Sequence, residues 1–178
     1  GGKDRSFDFS PTPNPHPPSP SPRPPLLVIL HRVNNPANAG AIVRTAEAAG
    51  ASALIATEGA VDLFSPKALR GAMGSTFRLP VWEGASLQEA LAWCAEQKIL
   101  TVSTDARAKV NHTEIDWTLP RAIILGTEGA GLSKSEVAVT DDSIKIPMRA
   151  PVESLNVAVA CGIILYEATR QRATRDKQ

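Results

Sequence analysis

The chain has 178 residues, with 19 Lys+Arg against 18 Asp+Glu, a formal charge of +1 and only 4% aromatic residues. No apolar run reaches the roughly 18 residues of a membrane span, and no signal-peptide order opens the chain. Two distant cysteines and three scattered histidines offer neither a disulfide framework nor metal-ligand spacing, so a disulfide scaffold, a membrane protein and a zinc site are excluded.

Near-neutral charge argues neither for nor against nucleic acid; any basic footprint has to be local. Cys94 and Cys161 sit in apolar helical patterns, which reads as reduced, packed thiols of a cytoplasmic protein. Nine of the 15 prolines fall between Pro11 and Pro25. That tract has nothing apolar to offset its ordering entropy, so residues 1–25 are expected to be a disordered Pro-rich linker. Residues 11–25 should form an extended spacer of about 45 Å at about 3.1 Å per residue. A spacer separates two things, and the expectation is a chain that continues beyond a ragged Gly1-Gly2 start. Residues 26–172 then make one domain with a sizeable core, and 173–178 a polar tail.

From Leu26 strands and helices alternate. Leu26–Leu30 is a continuous apolar run, as in a strand buried on both faces. Asn38 is expected to cap a helix that ends near Gly50. Further strands are predicted at 53–56, 79–82, 99–103, 121–125 and 143–147. Ser65-Pro66 opens a short helix, and Leu87, Ala90, Leu91 and Cys94 give Ser86–Lys98 an amphipathic helical period. Short and long helices follow at 133–139 and 154–170, and 104–120 reads as a polar connection. This alternation predicts an α/β fold: a mostly parallel sheet covered by helices on both faces. Helices 38–50 and 154–168 are apolar nearly all round and rich in Ala and Gly, which points to a self-associating surface and a homodimer.

Three segments could carry chemistry. Leu125-Gly126-Thr127-Glu128-Gly129-Ala130-Gly131-Leu132-Ser133 follows a strand and opens a helix, a setting in which backbone N–H groups approach a ligand closely. It fails both nucleotide patterns: Leu132 stands where a phosphate-loop lysine is needed, and the glycines have the wrong order for a dinucleotide site. It is either a tight βα turn or a loop whose Glu128 suits a cationic or donor-bearing ligand. Arg44 interrupts an apolar helix; it either pairs with Glu47 at i+3 or seeks a carboxylate such as Glu128, or a phosphate. In Ile146–Asn156, Ser154 reads as a helix N-cap assisted by Asn156, or both side chains serve a site beside a helix N-terminus.

Together and in this order, the segments resemble a known family. Asn35-Pro36-Ala37-Asn38-Ala39-Gly40-Ala41-Ile42-Val43-Arg44-Thr45-Ala46 is similar to the first signature of the TrmH/SpoU branch of the SPOUT RNA methyltransferases. Leu125–Ser133 resembles the second and Ile146–Val159 the third, while Gly71–Val81 is similar to a connecting segment. The resemblance spans residues 26 to about 170. Asn35 departs from the usual Asp before the proline, and Thr127 from the Asn common beside the motif glutamate.

The resemblance implies methyl transfer from S-adenosylmethionine to a ribose 2′-hydroxyl of structured RNA, ribosomal RNA ahead of transfer RNA, without a metal. It also implies a homodimer, a trefoil knot in the C-terminal half and an RNA-binding domain N-terminal to a flexible linker. Arg44 would activate the hydroxyl, with Asn38, Glu128, Ser154 and Asn156 arranging ribose and phosphate. A guanidinium pKa above roughly 12 makes a free base implausible; stabilising the developing alkoxide or fixing a phosphate is easier. The cofactor would lie against Ser103, Thr104, Leu125, Gly126, Thr127, Ile146, Met148, Ser154 and Leu155. A non-catalytic RNA- or cofactor-binding homodimer of the same fold, and a base-methylating relative, are the competing readings.

Overall fold

Leu26–Leu30 (β1) is buried at all five positions because it serves two cores at once. Successive side chains of a strand point to opposite faces. Leu26, Val28 and Leu30 enter one core, with Ile42, Val43, Cys161, Ile164 and Leu165. Leu27 and Ile29 enter the other, with Ala90, Cys94 and Ile124. Each such side chain contributes roughly 1.5–3 kcal/mol on burial. The computed structural model describes residues 23–175. Nearly all of the expected spacer, and the last three residues of the expected tail, lie outside the described residues.

After β1 come α1 (Pro36–Ala48), β2 (Ala53–Thr57), α2 (Pro66–Ala72), a 3-10 turn (Ser75–Phe77), β3 (Val81–Ala85) and α3 (Leu87–Glu96). They are followed by β4 (Leu100–Thr104), β5 (Val110–Asn111), β6 (Arg121–Leu125), α4 (Lys134–Ala138), β7 (Asp142–Lys145) and α5 (Val157–Arg175). The seven strands form one sheet in the order β3-β2-β1-β6-β4-β7-β5. Every pairing is parallel. Helices α1 and α5 cover one face and α3 the other, as the alternation of strand and helix predicts.

Several boundaries differ from the sequence reading. Asn35, not Asn38, caps α1: its Oδ1 accepts from the N–H groups of Ala37 at 2.9 Å and Asn38 at 3.2 Å. Asn156, not Ser154, caps α5, accepting from Ala158 at 2.9 Å and Val159 at 3.2 Å. Strand β3 starts at Val81 because the 3-10 turn and Pro80 occupy the residues before it. The expected polar connection 104–120 holds the two-residue strand β5, hydrogen-bonded to β7.

Helix α5 continues to Arg175, and the reason is Arg172. Only 7% exposed, it donates to the carbonyls of Trp117 (2.8 Å), Leu119 (3.0 Å) and Pro25 (3.2 Å). Carbonyls of two segments, one before β1 and one before β6, are thereby satisfied by one cation. Burial lowers its pKa from the ordinary arginine value. Both cysteines are buried and free, and burial pushes each thiol up to about 12.

Helices α1 and α2 cross in backbone contact. A Cβ on Gly40 would overlap the Ala68 carbonyl and reach Gly71 Cα at 3.0 Å. The crossing fixes the first turns of α1, and those turns carry Asn38.

Candidate active site

A cleft of about 660 Å³ opens at the carboxyl ends of β6, β4 and β7, which are adjacent in the sheet. Parallel sheets bind ligands beyond the carboxyl ends of their strands. The cleft takes Thr104–Arg107 after β4, Leu125–Leu132 after β6, Ile144–Ile146 and Met148 after β7, and Glu153–Val157 leading into α5.

The β6–α4 loop is folded on itself. Thr127 and Gly131 form an antiparallel bridge, with Gly131 N–H donating to the Thr127 carbonyl at 2.8 Å. The Thr127 hydroxyl donates to the Gly131 carbonyl at 3.2 Å. Gly131 has a φ of 64°, in the left-handed region that favours glycine. Gly126 is required for a different reason: an added Cβ would meet the Gly131 carbonyl carbon at 2.5 Å and Leu132 N at 2.7 Å. The hydroxyl of Thr127 therefore closes the loop, leaving Glu128 at its exposed tip.

From that tip Glu128 reaches α1, where it accepts from Asn38 Nδ2. Asn38 Oδ1 in turn accepts from Asn156 Nδ2 at 3.1 Å. Asn38 is free to do so because Asn35 has taken the capping role. A line of three side chains, one from each signature segment, thus crosses the cleft mouth. Ser154 lines the cleft and makes no hydrogen bond among the described residues.

The other expected cofactor positions divide. Thr104, Leu125, Gly126, Thr127, Ile146, Met148 and Leu155 line the cleft. Ser103 does not. It is fully buried, and its hydroxyl donates to the Asp142 carbonyl at 3.2 Å, beneath the site. Arg44 is not part of the cleft wall either. It is exposed on α1, and among the described residues it makes no hydrogen bond or ion pair. Glu47, its expected i+3 partner, is held instead by Arg78 at 2.6 and 2.9 Å. Neither expected carboxylate pairs with Arg44 in the structure: Glu47 binds Arg78, and Glu128 accepts from Asn38.

Three features of the site lie outside the residues named from the sequence. Asp105 and Arg107 face the cleft as a pair, with Arg107 Nε donating at 3.1 Å. Burial pushes the Asp105 carboxyl up, but the Arg107 N–H bonds and charge outweigh it and leave the group below its usual value. Glu153 and Lys145 add one charge of each sign to the lining. The third is the anchor of the glycine loop. Glu136 and Ser133 form a reciprocal capping box on α4, and Glu136 Oε1 also receives His31 Nε2 at 2.9 Å and Arg32 Nη2 at 2.6 Å. The Ser133-x-x-Glu136 spacing was a readable signal for the box. The link to His31, the residue after β1, was not.

The described residues contain no cluster of His, Cys, Asp and Glu able to hold a metal ion. No helix among them is long and apolar enough to cross a membrane.

The model of the SpoU rRNA methylase family matches residues 25–166. The chain belongs to that family. Among curated SpoU-type relatives, it is 40% identical over 149 residues to the 23S rRNA (guanosine-2'-O-)-methyltransferase RlmB of Coxiella burnetii, covering 84% of this chain and 60% of RlmB. It is 37% identical over 150 residues to a 23S rRNA (uridine(2479)-2'-O)-methyltransferase of Streptomyces viridochromogenes, covering 82% of this chain and 52% of that one. Among solved structures, the SpoU methyltransferase AviRb of S. viridochromogenes in complex with AdoMet superposes with a TM-score of 0.82 at 36% identity. That match covers 87% of this chain and 63% of AviRb. The chain thus spans between half and two thirds of the length of these SpoU proteins. The expected parallel α/β architecture is the one shared with AviRb.

Proposed function

We propose that this chain is the catalytic part of an RNA methyltransferase that moves a methyl group from S-adenosylmethionine to a ribose 2′-hydroxyl, with ribosomal RNA as the substrate class. The observation that carries the reading is the Asn38–Glu128–Asn156 line, which joins three distant segments at the mouth of one cleft. The names of the curated relatives supply the ribose and the ribosomal RNA.

The cleft suits the cofactor chemically. Its volume lies within the range of roughly 300–1,000 Å³ typical of small-molecule sites. The Gly126 approach leaves no room for a side chain, as a backbone cradle requires. Three carboxylates, Asp105, Glu128 and Glu153, stand in its lining against two cations, Arg107 and Lys145, and the β6–α4 loop lacks a phosphate-loop lysine. Leu125, Ile146, Met148 and Leu155 would hold the adenine, with Thr104, Gly126, Thr127 and Ser154 offering polar groups around it. S-adenosylmethionine, when bound, supplies an electrophilic methyl on a sulfonium sulfur.

The protein's part is positioning, which is worth several kcal/mol in such a displacement. Asn38 is oriented from both ends, its amide N–H on Glu128 and its carbonyl on Asn156, and so offers a fixed edge to ribose. Ser154, in the cleft lining two residues before Asn156, has a hydroxyl with no hydrogen bond among the described residues. Arg44, exposed and unpaired, would stabilise the developing alkoxide or hold the phosphate that takes its proton. Exposed Val159, Ile163 and Tyr166 recur along one face of α5 at i, i+4 and i+7, a stripe fitted to a second copy of this chain. A knotted C-terminal half, an N-terminal RNA-binding region and a cytoplasmic location belong to the same reading.

The test is transfer of labelled methyl from S-adenosylmethionine to ribosomal RNA, followed by mapping of the modified nucleotide. Alkali-resistant linkages at one site are the expected result. Label on a base, or none on any RNA with the cofactor bound, would overturn the proposal.

A further inference from the structure

The segment Ser65–Val81 carries Lys67, Arg70 and Arg78 and no acidic residue. It also holds two of the most exposed large hydrophobic side chains of the described residues, Met73 at 65% and Phe77 at 57%. Arg78 is consumed by Glu47. Lys67 and Arg70 are exposed and form no ion pair among the described residues. Phe77 meets Phe64 with ring centroids 6.1 Å apart and planes at 65°, an edge-to-face contact that leaves more than half of Phe77 exposed. The segment therefore presents an oriented aromatic ring, a flexible thioether and two free cations on one short helix and its following turn.

Its position gives this surface a use. Helix α2 crosses α1 at Gly40 and Gly71, two residues along from Asn38. Arg44 lies at i+4 from Gly40, so it stands on the side of α1 that meets α2. Arg44 on α1 and Lys67 and Arg70 on α2, exposed and without an ion pair among the described residues, thus lie on the two crossing helices that flank the turn holding Asn38.

We infer that the α2 surface, with Phe77 as a stacking platform and Lys67 and Arg70 as phosphate contacts, binds a single-stranded segment of the RNA adjacent to the target nucleotide. The inference rests on the methyltransferase reading and names the RNA-holding surface for it. Sequence-tolerant binding of single strands combines aromatic stacking with cations that follow the backbone. A looped or unpaired segment also exposes the ribose that the cleft needs. The pattern does not suit a second copy of the chain, since the core of a protein interface is depleted of unpaired charge. The α5 stripe of Val159, Ile163 and Tyr166 is of that other kind, apolar and with its neighbour Arg170 already paired to Glu167 at 2.8 Å.

The experiment compares the unsubstituted full chain with Phe77→Ala, Phe77→Tyr and a Lys67→Ala/Arg70→Ala double variant. The probe is a mixed-sequence single-stranded RNA, titrated by fluorescence anisotropy over a range of salt. Cofactor binding by calorimetry and sedimentation accompany each variant. Phe77→Ala should weaken RNA binding by about 5- to 100-fold, the scale of one lost stacking contact, and Phe77→Tyr should restore it. The double variant should reduce the salt slope by about 1.4, two phosphate contacts on a single strand. Cofactor affinity and sedimentation should not change. RNA binding that is equal in all variants overturns this inference alone, as does a change confined to sedimentation. If the unsubstituted chain neither binds RNA nor methylates it, the inference falls together with the methyltransferase reading.

Discussion

Asn156 donates to Asn38 at 3.1 Å across 118 residues of sequence, while its own Oδ1 caps helix α5. One amide therefore does two separable things: it ends a helix and it aims a site residue.

The two roles come apart by substitution. Asn156→Ala loses the cap and should cost about 1 kcal/mol, or roughly 2–4 °C of melting temperature. Asn156→Asp keeps the acceptor oxygen at a favourable end of the helix dipole but has no N–H for Asn38. It should melt like the unsubstituted chain and still lose methyl transfer, by about tenfold or more, the loss of one hydrogen bond at a charged site. Normal turnover in Asn156→Asp would show that the tie to Asn38 is not used.

Gly126→Ala addresses the loop itself. The new methyl would stand 2.5 Å from the Gly131 carbonyl carbon, and no flexible side chain is there to move. The Thr127–Gly131 bridge has to open, at a cost of about 1–3 kcal/mol typical of overpacking. Cofactor affinity measured by calorimetry should fall by about tenfold or more, with the sheet intact by circular dichroism.

How much of this was legible beforehand differs from element to element. Leu26–Leu30 and Arg121–Leu125 appear in the sequence with the bounds they have in the structure, because a strand buried on both faces is an apolar run, preceded in the second case only by Arg121. The helix starts were harder. Asn35 and Asn38, and Ser154 and Asn156, are all competent caps, and the choice between them is made by a partner on another segment. Arg44 shows the same limit: Glu47 lies three residues away, yet Arg78 takes it from 31 residues away. The resemblance puts Ser103 in the cleft, but it lies within β4, fully buried, with its hydroxyl on the Asp142 carbonyl. The line from Asn38 to Glu128 and Asn156 was proposed as a set only through the family resemblance.

Acid stability should report on the loop anchor. Burial tends to raise the Glu136 carboxyl, but bonds from the Ser133 N–H and His31 outweigh it, and its pKa lies below the ordinary 4.5. A lowered folded pKa stabilises above the unfolded value and loses that contribution as pH falls through the folded one. Urea melts should therefore show stability that is full above about pH 5 and declines below 4.5. Glu136→Gln should be less stable at neutral pH and flatter on the acid side. An unchanged acid limb would mean that the anchor does not titrate.

The stripe on α5 predicts the assembly. Val159 at 53% and Tyr166 at 54% exposure are too large and too open for a finished monomer surface next to Ile163. A stable interface should bury more than roughly 1,200 Å² in total. Sedimentation should give a dimer at micromolar concentration, and Val159→Asp/Ile163→Asp should give a folded monomer. A monomer in the unsubstituted chain would refute the interface.

Arg44 is the residue whose role the structure narrows most. If it paired with Glu47 or Glu128, removing it would cost stability; both carboxylates have other donors, Arg78 and Asn38. Arg44→Ala should accordingly leave the melting temperature and cofactor affinity where they are. Turnover should fall by about 100-fold or more, as on losing one preorganised donor to a developing oxyanion. Arg44→Lys should rescue little, because an ammonium cannot span phosphate and ribose with a planar fork. Single-turnover methylation, melting and calorimetry on the same two variants separate the possibilities. A several-degree loss of stability would reveal a structural ion pair formed in the assembly. Near-normal turnover with unchanged melting would leave Arg44 a solvated surface cation, and the alkoxide would need another partner in the cleft.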